Sequence, residues 1–314
     1  MQTDDHGRDQ GRNHDPNPDT VQQLEPGLVR ILAPNPSPMT FRGTNTYLIG
    51  TRGLAVIDPG PDDPAHLSAI LNAVGRRPIE AILITHSHVD HSRLAPRMAR
   101  TTGAPVLAFG DSAAGRSPEM QALAENGNIG GGEGVDSDFC PDATLHDGAV
   151  VSGTGWRLTA LWTPGHFGNH MCFAWNGALF TGDHVMGWAS SLISPPDGDL
   201  GQFMASCRRL LARRDRIFYP AHGAPVTAPR ARLDELIAHR EMRARQIAEI
   251  LDQGPASAGE LAARLYADTP APLLPAATRN VLAHLIELVR QGRARCTQPL
   301  APDSRFSPCD PETP

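Results

Sequence analysis

The segment 79–91, IEAILITHSHVDH, constrains this chain more than any other. Ile79, Ala81, Ile82, Leu83 and Ile84 make a short, continuously apolar run, the pattern of a strand buried on both faces. A strand of that kind needs a covering layer above and below it, so the chain must fold in layers. Directly after the run come His86, His88, Asp90 and His91, which spend three of the chain's 13 histidines within six positions. Residues two apart in an extended segment project to the same side. His86 and His88 can therefore hold one ion, and Asp90 and His91 a second ion beside it. Imidazole mixed with carboxylate suits divalent metals. A solvated charged turn is the competing account, and the buried strand leading into the cluster speaks against it.

Strand and helix signals alternate through the rest of the first half. GTNTYLIG (43–50) and GLAVIDPG (53–60) are strand-like, 62–75 has helical apolar spacing and stops at Gly75, and SRLAPRMARTTG then APVLAFG repeat the helix–strand order. Residues 112–134 are rich in glycine and polar side chains and are expected to form a mobile insertion. Residues 155–185 hold three strand candidates, 199–214 a helix, and 216–223 a further strand. From 230 onward the pattern turns helical, with three helices leading into a short strand-like end. That arrangement suggests a winged-helix module, with Ser257 and Glu260 spaced as a capping box. The expected organisation is a disordered tail over 1–26, a catalytic domain over 27–229, a winged-helix-like domain over 230–300 and a loose tail over 301–314.

Three later positions match the setting of the histidine cluster. His166 follows the apolar strand LTALW in TPGH, Asp183 follows GALF in LFTGDH, and His222 follows RIFY in YPAHG. In an α/β sheet, ligand-binding residues gather at one end of the strands. A lone TPGH or PAHG is usually an ordinary loop, but the three together complete a cage with His86, His88, Asp90 and His91.

Those seven positions resemble the metallo-β-lactamase superfamily over roughly residues 27–229. The resemblance implies an α/β fold, a four-layer αββα sandwich with metals at the edge between two sheets. It implies that His86, His88 and His166 hold one ion, that Asp90, His91 and His222 hold a second, and that Asp183 bridges them. The cofactor is then a pair of divalent ions, zinc by default and manganese or iron as alternatives. Asp58, in VIDPG, resembles the family's carboxylate that orients a ligand histidine. A narrower likeness, through GTNTYLIG, LFTGDHVMGW, SPPDGD, YPAHG and the C-terminal helices, is to β-lactamase-like proteins carrying an added winged helix, among them an endoribonuclease. TPGHFGNH also resembles glyoxalase II, a thioester hydrolase.

The implied chemistry is attack by a hydroxide bridging two ions on a carbonyl carbon or a phosphorus. Asp90 is expected to accept the proton of the attacking water. His170 is expected to give a hydrogen bond to a substrate oxygen or to support a ligand, and His184 has the same options. A small ester or thioester is the favoured substrate, single-stranded RNA the alternative, and a non-catalytic DNA-binding regulator the third reading. From Arg230 to Arg295 there are ten arginines against eight acidic residues, too slight an excess for a strong DNA reader. The winged helix is therefore expected to wall off the cleft or to support a homodimer. A net charge of −6 argues against non-specific binding to nucleic acid or a membrane surface. Five scattered cysteines, no long apolar run and no apolar core in the first 25 residues point to a cytoplasmic protein without a membrane partner.

Overall fold

The computed structural model describes residues 20–296, 300–301 and 303–309. His6 and His14 lie outside the described residues. A first sheet holds seven strands in chain order: β1 (Val21–Glu25), β2 (Leu28–Leu32), β3 (Asn45–Ile49), β4 (Leu54–Ile57), β5 (Ile79–Leu83), β6 (Val106–Ala108) and β7 (Ala143–Thr144). The first four strands pair antiparallel. From β4 to β7 the pairing is parallel, which requires crossovers. These crossovers are α1 (Pro64–Val74), then α2 (Val89–Ser92) with α3 (Ala95–Thr102), then α4 (Pro118–Asn126). Helix α1 starts where the Asp63 side chain accepts the His66 N–H at 2.8 Å, with Pro64 in the first turn, and it stops at Gly75, whose φ is 63°.

A second sheet has the order β12-β11-β10-β9-β8. Its strands are β8 (Val150–Gly153), β9 (Trp156–Trp162), β10 (Met171–Trp175), β11 (Ala178–Gly182) and β12 (Ile217–Pro220). Helix α5 (Leu200–Leu211) crosses from β11 to the parallel β12. Helix α6 (Pro229–Leu251), β13 (Ala256–Ser257), α7 (Ala258–Leu265), α8 (Leu274–Arg290), β14 (Ala294–Cys296) and β15 (Arg305–Pro308) complete the chain, with a small sheet of order β13-β15-β14. No helix among the described residues is long and apolar enough to cross a membrane.

The period-two alternation of the strands divides their side chains between layers. Ala55, Ile57, Ala81 and Leu83 of the first sheet meet Leu158, Phe173, Phe180 and Tyr219 of the second in one core. Val56 and Ile82 point the other way and pack under α1 and α3 with Ile70, Val74 and Met98. Leu161, Cys172, Leu179 and Phe218 face away from the central core and pack with Phe203, Cys207, Leu233 and Leu236 of α5 and α6. The layers run α, β, β, α, and the continuously apolar strands are those with a partner layer on each side.

Three sequence expectations are corrected. The tail ascribed to 1–26 ends too late, because Val21–Glu25 pairs with β2, and its polar VQQLE composition is that of an exposed edge strand. The 112–134 insertion is ordered: α4 begins at Ser117, whose hydroxyl accepts the Met120 N–H, and both Met120 and Ile129 are buried against Val281, Leu285 and Ile286 of α8. Within the expected tail over 301–314, Arg305–Pro308 is not loose, since β15 pairs with both β13 and β14 and Phe306 is buried in the C-terminal core. The capping box at Ser257 and Glu260 forms at the start of α7 as expected. Helix α6 serves two cores, giving Leu233 and Leu236 to the second-sheet layer and Ile247 and Leu251 to the C-terminal one.

Candidate metal centre

The polar cluster lies where the strands of both sheets end. His86 follows β5, His166 follows β9, Asp183 directly follows β11, and His222 follows β12. Strand register therefore brings together residues that lie far apart in the chain. The ligand-capable atoms of His86, His88, His166 and Asp183 all lie within 4.8 Å of one another, and those of Asp90, His91 and His222 do likewise. Asp183 faces both groups. Its Oδ2 is 3.6 Å from His166 Nε2, while its Oδ1 is 3.2 Å from His222 Nε2 and 3.6 Å from His91 Nε2. Asp90 Oδ2 is 3.3 Å from both His91 Nε2 and His222 Nε2.

The outer hydrogen bonds set the tautomers. Asp58 Oδ2 accepts from Thr85 Oγ1 at 2.7 Å, which leaves Thr85 Oγ1 to accept from His86 Nδ1 at 3.0 Å. His91 Nδ1 donates to Asp58 Oδ2 at 3.0 Å, His166 Nδ1 to the Leu192 carbonyl at 2.7 Å, and His222 Nδ1 to the Gly43 carbonyl at 3.1 Å. With Nδ1 protonated, each neutral ring turns a bare Nε2 lone pair inward. His86 Nε2 and His166 Nε2 lie 2.8 and 3.2 Å from the single His88 Nδ1, so at most one of those contacts can be a hydrogen bond. His91 Nε2 and Asp183 Oδ1 are buried with no hydrogen-bond partner among the described residues. Converging lone pairs and orphaned acceptors are costly unless a cation lies among them. The donor set fits divalent ions.

Electrostatics favour that state at His88, Asp183 and Asp90, whereas the carboxylates on their own draw a proton onto His91 and His222. Burial, and then His166, pushes the His88 pKa down to about 3. Burial alone would raise the Asp183 carboxyl, but His222 and His91 hold it well below the usual range. Asp90 is depressed in the same way: burial would raise it, and His91 and His222 together outweigh that. Burial would lower His222, yet Asp183 and Asp90 hold it at about 10.

Asp58 has the orienting geometry expected of it, accepting the Thr85 N–H on Oδ1 as well, from a backbone at φ 49°. His170 lies beside the ligand histidines. It is fully buried, its Nδ1 bonds Thr163 Oγ1, and its ring lies 5.2 Å from that of His86, tilted by 31°. A Cβ on Gly182 would sit 2.6 Å from His170 Nε2, and that nitrogen has no hydrogen-bond partner among the described residues. That setting suits the supporting one of the two roles expected of His170. His184 is also buried, against Phe203 and Cys207.

Several contributors carried no readable motif. Thr44 Oγ1 donates to Asp90 Oδ2 at 2.9 Å. Ser191 Oγ donates to the carbonyls of Asp183 and His184. The loop carrying Ser191 and Leu192 is gripped in turn from the C-terminal module. Asn280 Oδ1 accepts the Ile193 N–H at 3.0 Å and Arg240 Nη1 at 3.1 Å, and Arg240 Nη2 donates to the Ser191 carbonyl. On the opposite side the ordered insertion meets the histidine loop, with the Val89 N–H donating to the Gly134 carbonyl and the Asp136 N–H to the Ser87 carbonyl, each at 2.8 Å.

The rim beside His222 is apolar. Phe41 and Trp188 stack at 4.9 Å, both are exposed, and Met39 is exposed nearby in sequence. Trp188 packs on Gly223, where a Cβ would meet its Cδ1 at 2.9 Å. Phe41 holds φ 57°, a left-handed conformation costly for a bulky residue.

Comparison with known proteins agrees with this geometry. Residues 39–222 match the model of the metallo-beta-lactamase superfamily, and 257–298 match the beta-lactamase associated winged helix domain. The chain is 31% identical over 303 residues to the beta-lactamase-like protein 2 homolog of Drosophila melanogaster, covering 88% of this chain and 93% of that protein. It is 35% identical over 241 residues to the lactamase-like protein nscB of Arthroderma gypseum, covering 75% of this chain and 68% of that one. Among solved structures, a metallo-beta-lactamase family protein from Thermus thermophilus superposes with a TM-score of 0.73 at 28% identity, over 91% of this chain and 100% of that one.

Proposed function

The chain belongs to the metallo-β-lactamase superfamily of metal-dependent hydrolases, and from that premise we propose that it is a binuclear enzyme acting on a small ester or thioester. The observation that carries the binuclear reading is Asp183, whose two carboxylate oxygens are divided between the two groups of side chains. His86, His88 and His166 would hold one ion, Asp90, His91 and His222 the other, and Asp183 both. Zinc is the default for this thiolate-free donor set, with manganese or iron as alternatives. When bound, such ions would acidify coordinated water and polarise the carbonyl whose carbon is attacked.

The chain's own groups do the rest. The Nδ1–H bonds to Thr85, Asp58, Leu192 and Gly43 hold each ring so that Nε2 points inward throughout the reaction. Asp90 is kept ionised, and its side chain is 20% exposed where His91 and His222 are 0% and 1%, so it is the group of that set that entering water can reach. It accepts the proton as the water oxygen adds to the acyl carbon. The C–O or C–S bond then breaks and Asp90 returns its proton to the leaving oxygen or sulfur, giving an acid and an alcohol or thiol.

The Phe41–Trp188 stack supports an acyl substrate, since it offers an apolar surface beside His222. Arginines around the cleft are already committed: Arg93 to Asp136, Arg116 to Asp197, Arg279 to Ser194 and Ile129, and Arg232 to the carbonyls of Met186 and Ala189. Those four have little positive charge to spare for an RNA backbone, while Arg42 places its guanidinium 5.5 Å from the Phe41 ring centroid. All five cysteines are free, which favours a reducing compartment such as the cytoplasm.

The test is to assay protein loaded with zinc or manganese on acyl thioesters and on labelled single-stranded RNA, with metal content measured in parallel. Thioester turnover lost in His88→Ala, with two ions per chain, supports the proposal. Turnover of RNA alone overturns the substrate class, and one ion per chain overturns the binuclear reading.

A further inference from the structure

Away from the metal centre, a cavity of about 330 Å³ opens between α5, α6 and α8. Five arginines and two glutamates line it. Arg208 pairs with Glu241 at 3.3 Å and Arg290 with Glu287 at 2.7 Å, which uses both acids. Arg240, Arg245 and Arg293 remain without an ion pair among the described residues, so the lining keeps an uncompensated positive charge. Such a concentration of guanidinium around a concavity attracts anions.

The floor of the cavity holds the second, independent observation. His284 is 1% exposed, and neither of its ring nitrogens has a hydrogen-bond partner among the described residues. Arg240 is 3% exposed, and its Nε is likewise unpartnered although both Nη atoms are engaged. Buried donors are seldom left unmade, because each forfeits its bonds to water without replacement. Here both line the same cavity.

We propose that this cavity is a binding site for a small phosphate-bearing anion, held by Arg240 Nε and His284 from below and by Arg245 and Arg293 at the mouth. A phosphate group supplies acceptor oxygens for all of these donors and the negative charge that the arginines lack. The volume leaves room for more than the phosphate group, so either free phosphate or the phosphate ester of a small metabolite fits. Nothing in this assignment depends on the reaction proposed for the metal centre. The site nevertheless touches that centre mechanically, because Arg240 also holds the Ser191 carbonyl and Asn280.

Titration calorimetry of the full chain with inorganic phosphate and with glycerol 3-phosphate, against chloride at matched ionic strength, tests the assignment. Arg245 and Arg293 are exposed, so the double variant R245A/R293A is expected to fold, which its melting curve checks. Wild type is expected to bind at least one of the two ligands. R245A/R293A should weaken that binding by about tenfold or more, the loss expected for charge-assisted bonds. His88→Ala should bind as wild type does. Tighter binding of the ester would identify a metabolite as the source of the phosphate. No binding of either ligand overturns the proposal, as does binding that survives R245A/R293A, whether or not His88→Ala abolishes it.

Discussion

Replacing Asn280 with alanine tests whether the C-terminal module sets the metal centre. Asn280 Oδ1 is the shared acceptor for the Ile193 N–H and for Arg240 Nη1, and Ile193 is fully buried. Removing it leaves one backbone N–H and one guanidinium N–H without a partner. Each such loss costs about 1–3 kcal/mol, so the variant should be destabilised by about 2–6 kcal/mol. The consequence for the site is more specific. Leu192 lies next to Ile193, and its carbonyl fixes the His166 ring through a 2.7 Å bond. Loss of an orienting partner of that kind typically weakens metal affinity about 10–100-fold. Asn280→Asp keeps the acceptor for both donors and should restore most of the affinity. Zinc affinity by chelator competition and stability by urea unfolding would be measured on wild type and both variants. If Asn280→Ala loses stability but binds zinc as tightly as wild type, the loop does not transmit order to His166 and the reasoning is wrong.

Other expectations concern separate parts of the molecule. Asp58→Asn keeps a side chain that tolerates φ 49° but puts an amide N–H₂ where one of its oxygens accepts hydrogen bonds, so zinc affinity should fall about 10–100-fold, read by the same competition. Trp188→Ala should raise KM for an apolar thioester by about two- to tenfold, the range of an aromatic stack, with kcat little changed; a fall in kcat at constant KM would refute the role of the platform. Phe306→Ala empties a fully packed position and should cost about 3–5 kcal/mol by urea unfolding, whereas a near-neutral result would mean that β15 contributes little to the C-terminal core.

The layered fold and the polar cluster were legible because their signals are local. The apolar run before His86 demands two covering layers, and each remaining cluster member sits at the end of its own strand. Long-range burial was not legible. Residues 112–134 read as mobile because Gly115, Gly127, Gly130, Gly131, Gly132 and Gly134 outweigh Met120, Leu123 and Ile129, yet Met120 and Ile129 join a core with α8, in the last part of the chain. Phe306 lies between the polar Arg305 and Ser307, so no apolar pattern marks it in the sequence. His170 has the spacing of a site residue, and only the tertiary packing sets its ring beside that of His86. Asn280 and Ser191 belong to no motif; their partners are set by how α8 docks, which no short window of sequence contains.

The clasp between the insertion and α8 bears on how such chains can be recombined. Arg279 donates to the Ile129 carbonyl and to Ser194, so one helix turn bolts two otherwise separate loops together. A chimera that exchanges the region after residue 229 alone would strip Met120 and Ile129 of their cover and leave greasy surface beside the cleft. A workable exchange has to carry the glycine-rich span along with the winged helix, which makes the two segments one heritable part despite the long stretch of chain between them.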